Sequence, residues 1–313
     1  MNTAVAFIIF KRPDTTRDVF KQIKNAKPPR LYIIADGSRS YVPGEELAVA
    51  QTRDIVREIN WNCEVTRIYS DSNLGCSRRV ISGLNAAFEN EDKLVILEDD
   101  TLPNQAFFHY SDSLLDRYES DERVGSVIGT NLLWGRSGRH FSYYAGHHFI
   151  PWGWATWKTR WQKLDFSNTA LKQWGNDLEQ KKYLNDTEKN YWRNLFTSSL
   201  EKSESELSWD YMWTFTLQLQ NWLTIQPTRN LVKNIGMANN ATHCDVDLPF
   251  LRLPNPEPNS PLYSPEKLNF NPEWDFLNFL AHCHHQELRR LPRLKAKLRI
   301  FLGRCKARIF RKS

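Results

Sequence analysis

Leu94-Val95-Ile96-Leu97-Glu98-Asp99-Asp100-Thr101-Leu102-Pro103 sets four apolar residues directly before three carboxylates. A short apolar run bounded by polar chain reads as a buried strand. The acids then stand at its exit. Three adjacent carboxylates repel one another and stay ionised most easily when a divalent cation relieves them. The competing reading is an acidic start to the helix that follows Pro103, because acids favour helix N-termini.

Outward from this stretch the pattern repeats. Val5–Phe10 reads as a buried strand and Arg12-Pro13-Asp14 opens a helix, with Asp14 or Thr15 as its cap. Leu31–Ile34 is a second strand ending at Ala35-Asp36-Gly37, Thr52–Ile59 is helical, and Cys63–Tyr69 is a third strand. After Ser70–Gly75, Arg78–Phe88 forms a helix that leads into the acidic strand, and Gln105–Tyr118 and Val124–Gly129 continue as helix and strand. Strand and helix in strict alternation predict an α/β fold: a mostly parallel central sheet flanked by helices, with ligands beyond the carboxyl ends of its strands. Arg12, Asp36, Asp71–Asn73 and Glu98–Asp100 all follow such ends. Helices are expected over much of 170–223 and irregular chain over 249–272.

The 313 residues are 41% hydrophobic and 25% charged, enough apolar chain to bury a core, which excludes a disordered protein. Twelve Trp and 13% aromatics suit either an aromatic core or a surface that stacks on sugars or bases. The five Cys are scattered without a CxxC pair, so neither a disulfide scaffold nor a zinc ribbon is expected. The apolar run Ala4–Phe10 is too short for a signal-peptide core or a span, and the expected location is cytoplasmic. The triplets at Asn185 and Asn240 are read as chance matches to a glycosylation acceptor. His282-Cys283-His284-His285 is read as a helix end, since four adjacent residues cannot all face one ion.

The net charge of +6 is unevenly placed. Residues 286–313 carry eleven Lys and Arg against the single acid Glu287, which leaves residues 1–285 mildly acidic. A basic appendage on an acidic body argues against nucleic acid as a partner. Within that tail Leu288, Leu291, Leu294 and Leu298 recur at helical spacing, the pattern of an interfacial amphipathic helix for the anionic inner face of a membrane.

The Glu98-Asp99-Asp100 triplet, with Pro103 and then Phe107-Phe108 in the next helix, resembles the GT-A glycosyltransferases. The likeness is to family 2-like bacterial enzymes and, at the triplet, to the Golgi N-acetylglucosaminyltransferase that initiates complex N-glycans. It spans roughly residues 4–245 and is specific only at the triplet. It implies a GT-A, Rossmann-like sheet over 1–285, with a nucleotide-binding half to about 130 and an acceptor half to 285. It also implies inverting, metal-dependent transfer from a nucleotide diphosphate sugar, UDP-linked, to a glycan or lipid-linked acceptor. Asp100 would hold Mn²⁺ or Mg²⁺, and Glu98 and Asp99 would contact donor sugar and ribose.

Other residues take roles in that scheme. Arg12 offers a fork to phosphate or base oxygens, and Asp36 can accept from a uracil imide or ribose hydroxyl. Asn73-x-Gly75 resembles the family's turn beneath the nucleotide, with Arg78 or Arg79 facing the diphosphate at a helix N-terminus. Asp210, between Trp209 and Trp213, is the candidate base, with Glu206 as fallback; an acid in apolar surroundings has a raised pKa. His243, after Asn234-Ile235-Gly236, is a candidate further metal ligand. Phe149–Trp161 is expected as a loop over the donor sugar, Trp152 and Trp154 stacking there and Trp209 nearby. Two alternatives stay open: a sugar nucleotidyltransferase, which would normally carry a Gly-rich loop before Arg12, and a degenerate carbohydrate-binding scaffold.

Overall fold

Every residue of the first strand, β1 (Ala4–Ile9), is buried. Val5, Phe7 and Ile9 enter one apolar cluster while Ala4, Ala6 and Ile8 enter another, so the strand has core on both faces. A strand covered on both sides belongs at the centre of a parallel sheet. The computed structural model describes residues 1–133, 141–165, 167–181, 184, 186–201, 206–236, 262–268 and 270–283.

Helix α1 (Pro13–Ala26) follows β1, then β2 (Arg30–Ala35), α2 (Glu45–Ile55), β3 (Glu64–Tyr69), α3 (Cys76–Asn90) and β4 (Lys93–Glu98). The four strands pair in parallel in the order β3-β2-β1-β4. Their carboxyl ends therefore share one edge, and Ile8 lies level with Glu98. Pro13 starts α1, its missing N–H costing nothing in the first turn, and Arg12 rather than Asp14 or Thr15 is the N-cap. Helix α2 begins at Glu45 and ends at Ile55, earlier than the expected 52–59.

After β4 the chain forms β5 (Thr101–Pro103), α4 (Gln105–Arg117), β6 (Val124–Ile128), β7 (Tyr143–Gly146) and β8 (Trp154–Trp157). Then come α5 (Lys158–Trp161), α6 (Asn168–Asp177), a 3₁₀ turn (Leu178–Gln180), α7 (Asp186–Leu200), α8 (Trp209–Leu219), β9 (Leu223–Pro227), β10 (Val232–Asn234) and α9 (Pro272–Cys283). The eight-stranded sheet runs β3-β2-β1-β4-β8-β6-β9-β7, with β8 antiparallel to both β4 and β6. The Trp-rich segment expected as a surface loop is thus in part a central strand. Its four residues are all buried, so no alternation marked it as a strand in the sequence. Strands β10 and β5 make a separate antiparallel ribbon at the exit of the acidic strand.

A third apolar cluster, with Trp174, Trp192, Met212, Phe215 and Phe279, ties α6, α7, α8 and α9 together. Among the described residues, no helix is long and apolar enough to cross a membrane. The expected tail helix over 286–313, His243, Asn185 and the triplet at Asn240 lie outside the described residues, as does most of 249–272.

Candidate active site at the carboxyl edge of the sheet

Asp99 is buried at the end of β4 and accepts a hydrogen bond from the Phe10 backbone N–H at 3.0 Å. Arg12 binds Asp100 Oδ2 at 2.6 Å and approaches Asp99 Oδ1 at 3.4 Å. The exits of β1 and β4 are thereby joined by a guanidinium bridging two carboxylates. Burial and then Asp100 push Asp99 up to about 7, only partly opposed by Arg12. Glu98 is driven well above the usual carboxylate range by burial, then by Asp100, Asp99 and Asp210. Asp100 is raised by burial despite the attraction of Arg12. One guanidinium does not neutralise three acids of which Asp99 is buried and Glu98 and Asp100 part-buried, so the edge has room for more positive charge.

The acids do not converge as a preformed three-carboxylate cage. Among the described residues, the group of three or more metal-ligating side chains with ligand atoms within 4.8 Å of one another is His148, His282 and Cys283, not the triplet. Oxygen donors of this kind suit a hard cation such as Mg²⁺ or Mn²⁺ whose shell is completed by phosphate and water. Glu98, Asp99 and Asp100 offer donors of that kind, and one or two carboxylates would meet that requirement. Ile235 N–H donates to the Asp100 carbonyl at 2.8 Å, and a side chain at Gly236 would begin 2.2 Å from Asp100 Oδ2. The small sheet β5–β10 therefore brings Gly236 against Asp100.

Asp36 closes the adjoining loop. Its carboxylate accepts from the backbone N–H groups of Gly37 at 3.0 Å, Leu74 at 2.9 Å and Gly75 at 3.0 Å. Asn73 Nδ2 returns a bond to the Gly37 carbonyl at 2.8 Å. Gly37 passes so close that a Cβ there would lie 2.6 Å from the Ser72 carbonyl carbon. In this structure, then, Asp36 and Asn73 shape the turn from β3 into α3. At the start of α3, Arg78 is exposed, whereas Arg79 is 6% exposed and its Nε has no hydrogen-bond partner. Burial lowers the Arg79 pKa against the pull of Asp36. A buried guanidinium with an unsatisfied Nε in the first turn of a helix is suited to an anion.

Asp210 reaches the same edge from the other half of the chain. The Trp209 backbone N–H donates to Ser77 Oγ at 3.0 Å, docking the N-terminus of α8 onto that of α3. Ser208 donates a short hydrogen bond to Asp210, whose pKa is raised by burial. Glu98, Asp210, Asp100 and Asp36 all act on the Cys76 thiol, which desolvation and then these charges push up to about 12. The triplet and Asp210 thus flank one position at the head of α3. Glu206 is exposed.

The tryptophans divide otherwise than expected. Trp154 is 0% exposed and Trp209 3%, and their rings stack on each other at 5.6 Å and 20°. Trp161 and Trp213 pack against Trp154 at 6.0 and 5.8 Å. Neither Trp154 nor Trp209 has a free face for a sugar; they form the wall that fixes α8, and with it Asp210. Trp152 is half-buried, with its ring 5.4 Å from that of His282. The Gly37 contact, the Ser77 dock and the pairing of Gly236 with Asp100 went unforeseen, for each joins residues far apart in sequence.

No family model matches the chain, and no curated protein matches it in sequence. It is similar in structure to a UTP-bound UGPase from Acinetobacter baumannii, at 8% identity over 75% of this chain and 89% of that one, TM-score 0.39. An apo UDP-glucose pyrophosphorylase matches at 8% identity over 74% and 93%, TM-score 0.37. A UDP-glucose pyrophosphorylase complexed with UDP-glucose matches at 10% identity over 48% and 64%, TM-score 0.28. Likeness at this level assigns neither family nor activity to this chain.

Proposed function

We propose that this chain is a metal-dependent transferase acting on a nucleotide diphosphate sugar, and that it passes the sugar to an acceptor hydroxyl with inversion. The observation that carries the reading is the meeting, at one sheet edge, of an acidic triplet with Asp99 buried at its centre, a buried arginine with an unsatisfied Nε in the first turn of a helix, and a second-half aspartate with a raised pKa. The triplet would supply hard oxygen donors for Mg²⁺ or Mn²⁺ through Asp100, and His243, beyond the described residues, would add an imidazole nitrogen. A bound ion there would offset the charge of the leaving diphosphate.

The chain's own residues do the rest. Arg79 and the free N–H groups of α3 hold the diphosphate, with Arg78 at the rim. Arg12 steadies Asp100 and offers its remaining N–H groups to the donor. Glu98 and Asp99 face sugar and ribose, while Asp36 and Asn73 keep the loop beneath the nucleotide in place. Asp210 takes the proton of the acceptor hydroxyl as that oxygen attacks the anomeric carbon, opposite the departing diphosphate. Trp152 is the remaining candidate for sugar contact. The acceptor is a glycan or a lipid-linked sugar, and the basic segment 286–313 would hold the enzyme against anionic lipid at the inner membrane face.

Sugar nucleotidyl transfer is the rival, and it is the activity named for the solved structures above. The chain between β1 and α1, Phe10-Lys11-Arg12, contains no glycine, which disfavours a phosphate-wrapping loop at that point. A panel of nucleotide sugars, tested for thermal stabilisation with and without Mn²⁺, identifies the donor. Release of UDP with glycosylated acceptor supports sugar transfer. Formation of a nucleotide sugar and pyrophosphate from UTP and a sugar 1-phosphate would replace it with the rival.

A further inference from the structure

Helix α9 ends with His282 and Cys283 turned towards the segment that joins β7 to β8, 134 residues earlier in the chain. His282 Nδ1 lies 3.2 Å from His148 Nε2 and 3.8 Å from Cys283 Sγ, and all three ligand atoms fall within 4.8 Å of one another. Tetrahedral zinc with Zn–N of about 2.0–2.1 Å and Zn–S of about 2.3 Å places its ligand atoms about 3.3–3.6 Å apart. The observed separations bracket that range. Two nitrogens and a sulfur also form a donor set unlike the all-oxygen triplet, and borderline-soft ions prefer it.

The surroundings are those of a supported site. His148 is buried, with its Nε2 directed at His282 Nδ1. Its backbone N–H and that of His147 donate to the buried Asp275 carboxylate, each at 2.9 Å, which ties this segment to α9. Tyr191 hydrogen-bonds to Cys283. The rings of Phe279 and Trp152 stand edge-on to His148 and His282 at 5.7 and 5.4 Å. Such outer partners orient ligands and are part of functional metal sites.

We propose that His148, His282 and Cys283 bind a zinc ion, distinct from the cation of the acidic triplet, which clamps α9 to the sheet beside Trp152. The fourth position belongs to water or to a further side chain. The inference does not depend on the transferase reading, because it uses none of its residues for binding.

The test uses the full chain and Co²⁺ as a spectroscopic stand-in for Zn²⁺, after chelator dialysis. Co²⁺ should bind with visible d–d bands of a tetrahedral ion and a near-ultraviolet thiolate charge-transfer band, and Zn²⁺ should displace it. Cys283→Ser should lose the charge-transfer band, His148→Gln should weaken binding by at least about tenfold, and Asp100→Asn should leave both signals as in the wild type. Zinc should also remain at about one equivalent through purification, and its removal should lower the melting temperature. Should the variants fold poorly, the wild-type protein decides alone: no charge-transfer band and no retained zinc overturns the proposal. A band that survives Cys283→Ser, or vanishes in Asp100→Asn, overturns it equally.

Discussion

Replacing Gly236 with Ala tests whether Asp100 must stand where it does. The added Cβ would lie 2.2 Å from Asp100 Oδ2, 2.8 Å from its Cβ and 2.9 Å from its Cγ. Real Cβ contacts essentially never fall below 3.0 Å, so a displacement of about 0.8 Å or more is required. The backbones cannot easily separate, because Ile235 N–H is bonded to the Asp100 carbonyl at 2.8 Å. The carboxylate must therefore swing, loosening its 2.6 Å bond to Arg12. That ion pair is part-exposed on the arginine side, and its loss costs about 1 kcal/mol or less, a few degrees of melting temperature. Catalysis is far more sensitive: a misplacement of about 1 Å costs on the order of 10²-fold, or about 2.7 kcal/mol of barrier. The assay is kcat/KM for donor turnover at saturating Mn²⁺, alongside thermal unfolding. Gly236→Ala should fold and turn over about a hundredfold more slowly. Turnover within about twofold of wild type would refute the assignment of Asp100.

Two further outcomes follow from the site's charges. Asp210→Asn should lower transfer by about 10²–10⁴-fold while changing donor affinity by no more than about twofold, as calorimetry would show. Because burial raises its pKa, the wild-type rate should fall on an acid limb above the ordinary aspartate range, a limb the variant lacks. Burial pushes Asp99 in the folded protein up to about 7, from the ordinary aspartate value of 3.8. Its contribution to stability is thus fully present below about pH 4 and is lost as pH rises towards 7. Metal-free Asp99→Asn should therefore melt above metal-free wild type at pH 8, with the gap closing near pH 4; a gap that widens on acidification contradicts the account.

The half of the sheet that holds the triplet was legible in the sequence because β1 to β4 are parallel strands with helical crossovers. Strands β1, β2 and β4 announce themselves as apolar runs closed by polar residues and β3 as an alternating one, and the site residues follow at the ends. Strand β8 was not legible: Trp154-Ala155-Thr156-Trp157 has neither alternation nor length, and only its pairing with β4 and β6 makes it a strand. The same blindness misplaced Trp154 and Trp209, since composition does not say which side of a tryptophan faces the core. Asp36 was legible as a functional-looking acid at a strand end, but two of its three backbone partners, Leu74 and Gly75, come from a loop 38 and 39 residues away. His282-Cys283 was set aside because adjacent residues alone cannot enclose an ion. The missing partner, His148, is supplied by tertiary contact.

Anomalous diffraction from crystals grown with Mn²⁺ and UDP bears most directly on the central claim. The account expects a manganese peak at the carboxyl edge of the sheet, about 2.1 Å from an Asp100 carboxylate oxygen, with the diphosphate between it and the N-terminus of α3. A peak elsewhere, or a nucleotide bound there with no metal and with Asp100 still held by Arg12 alone, would contradict it.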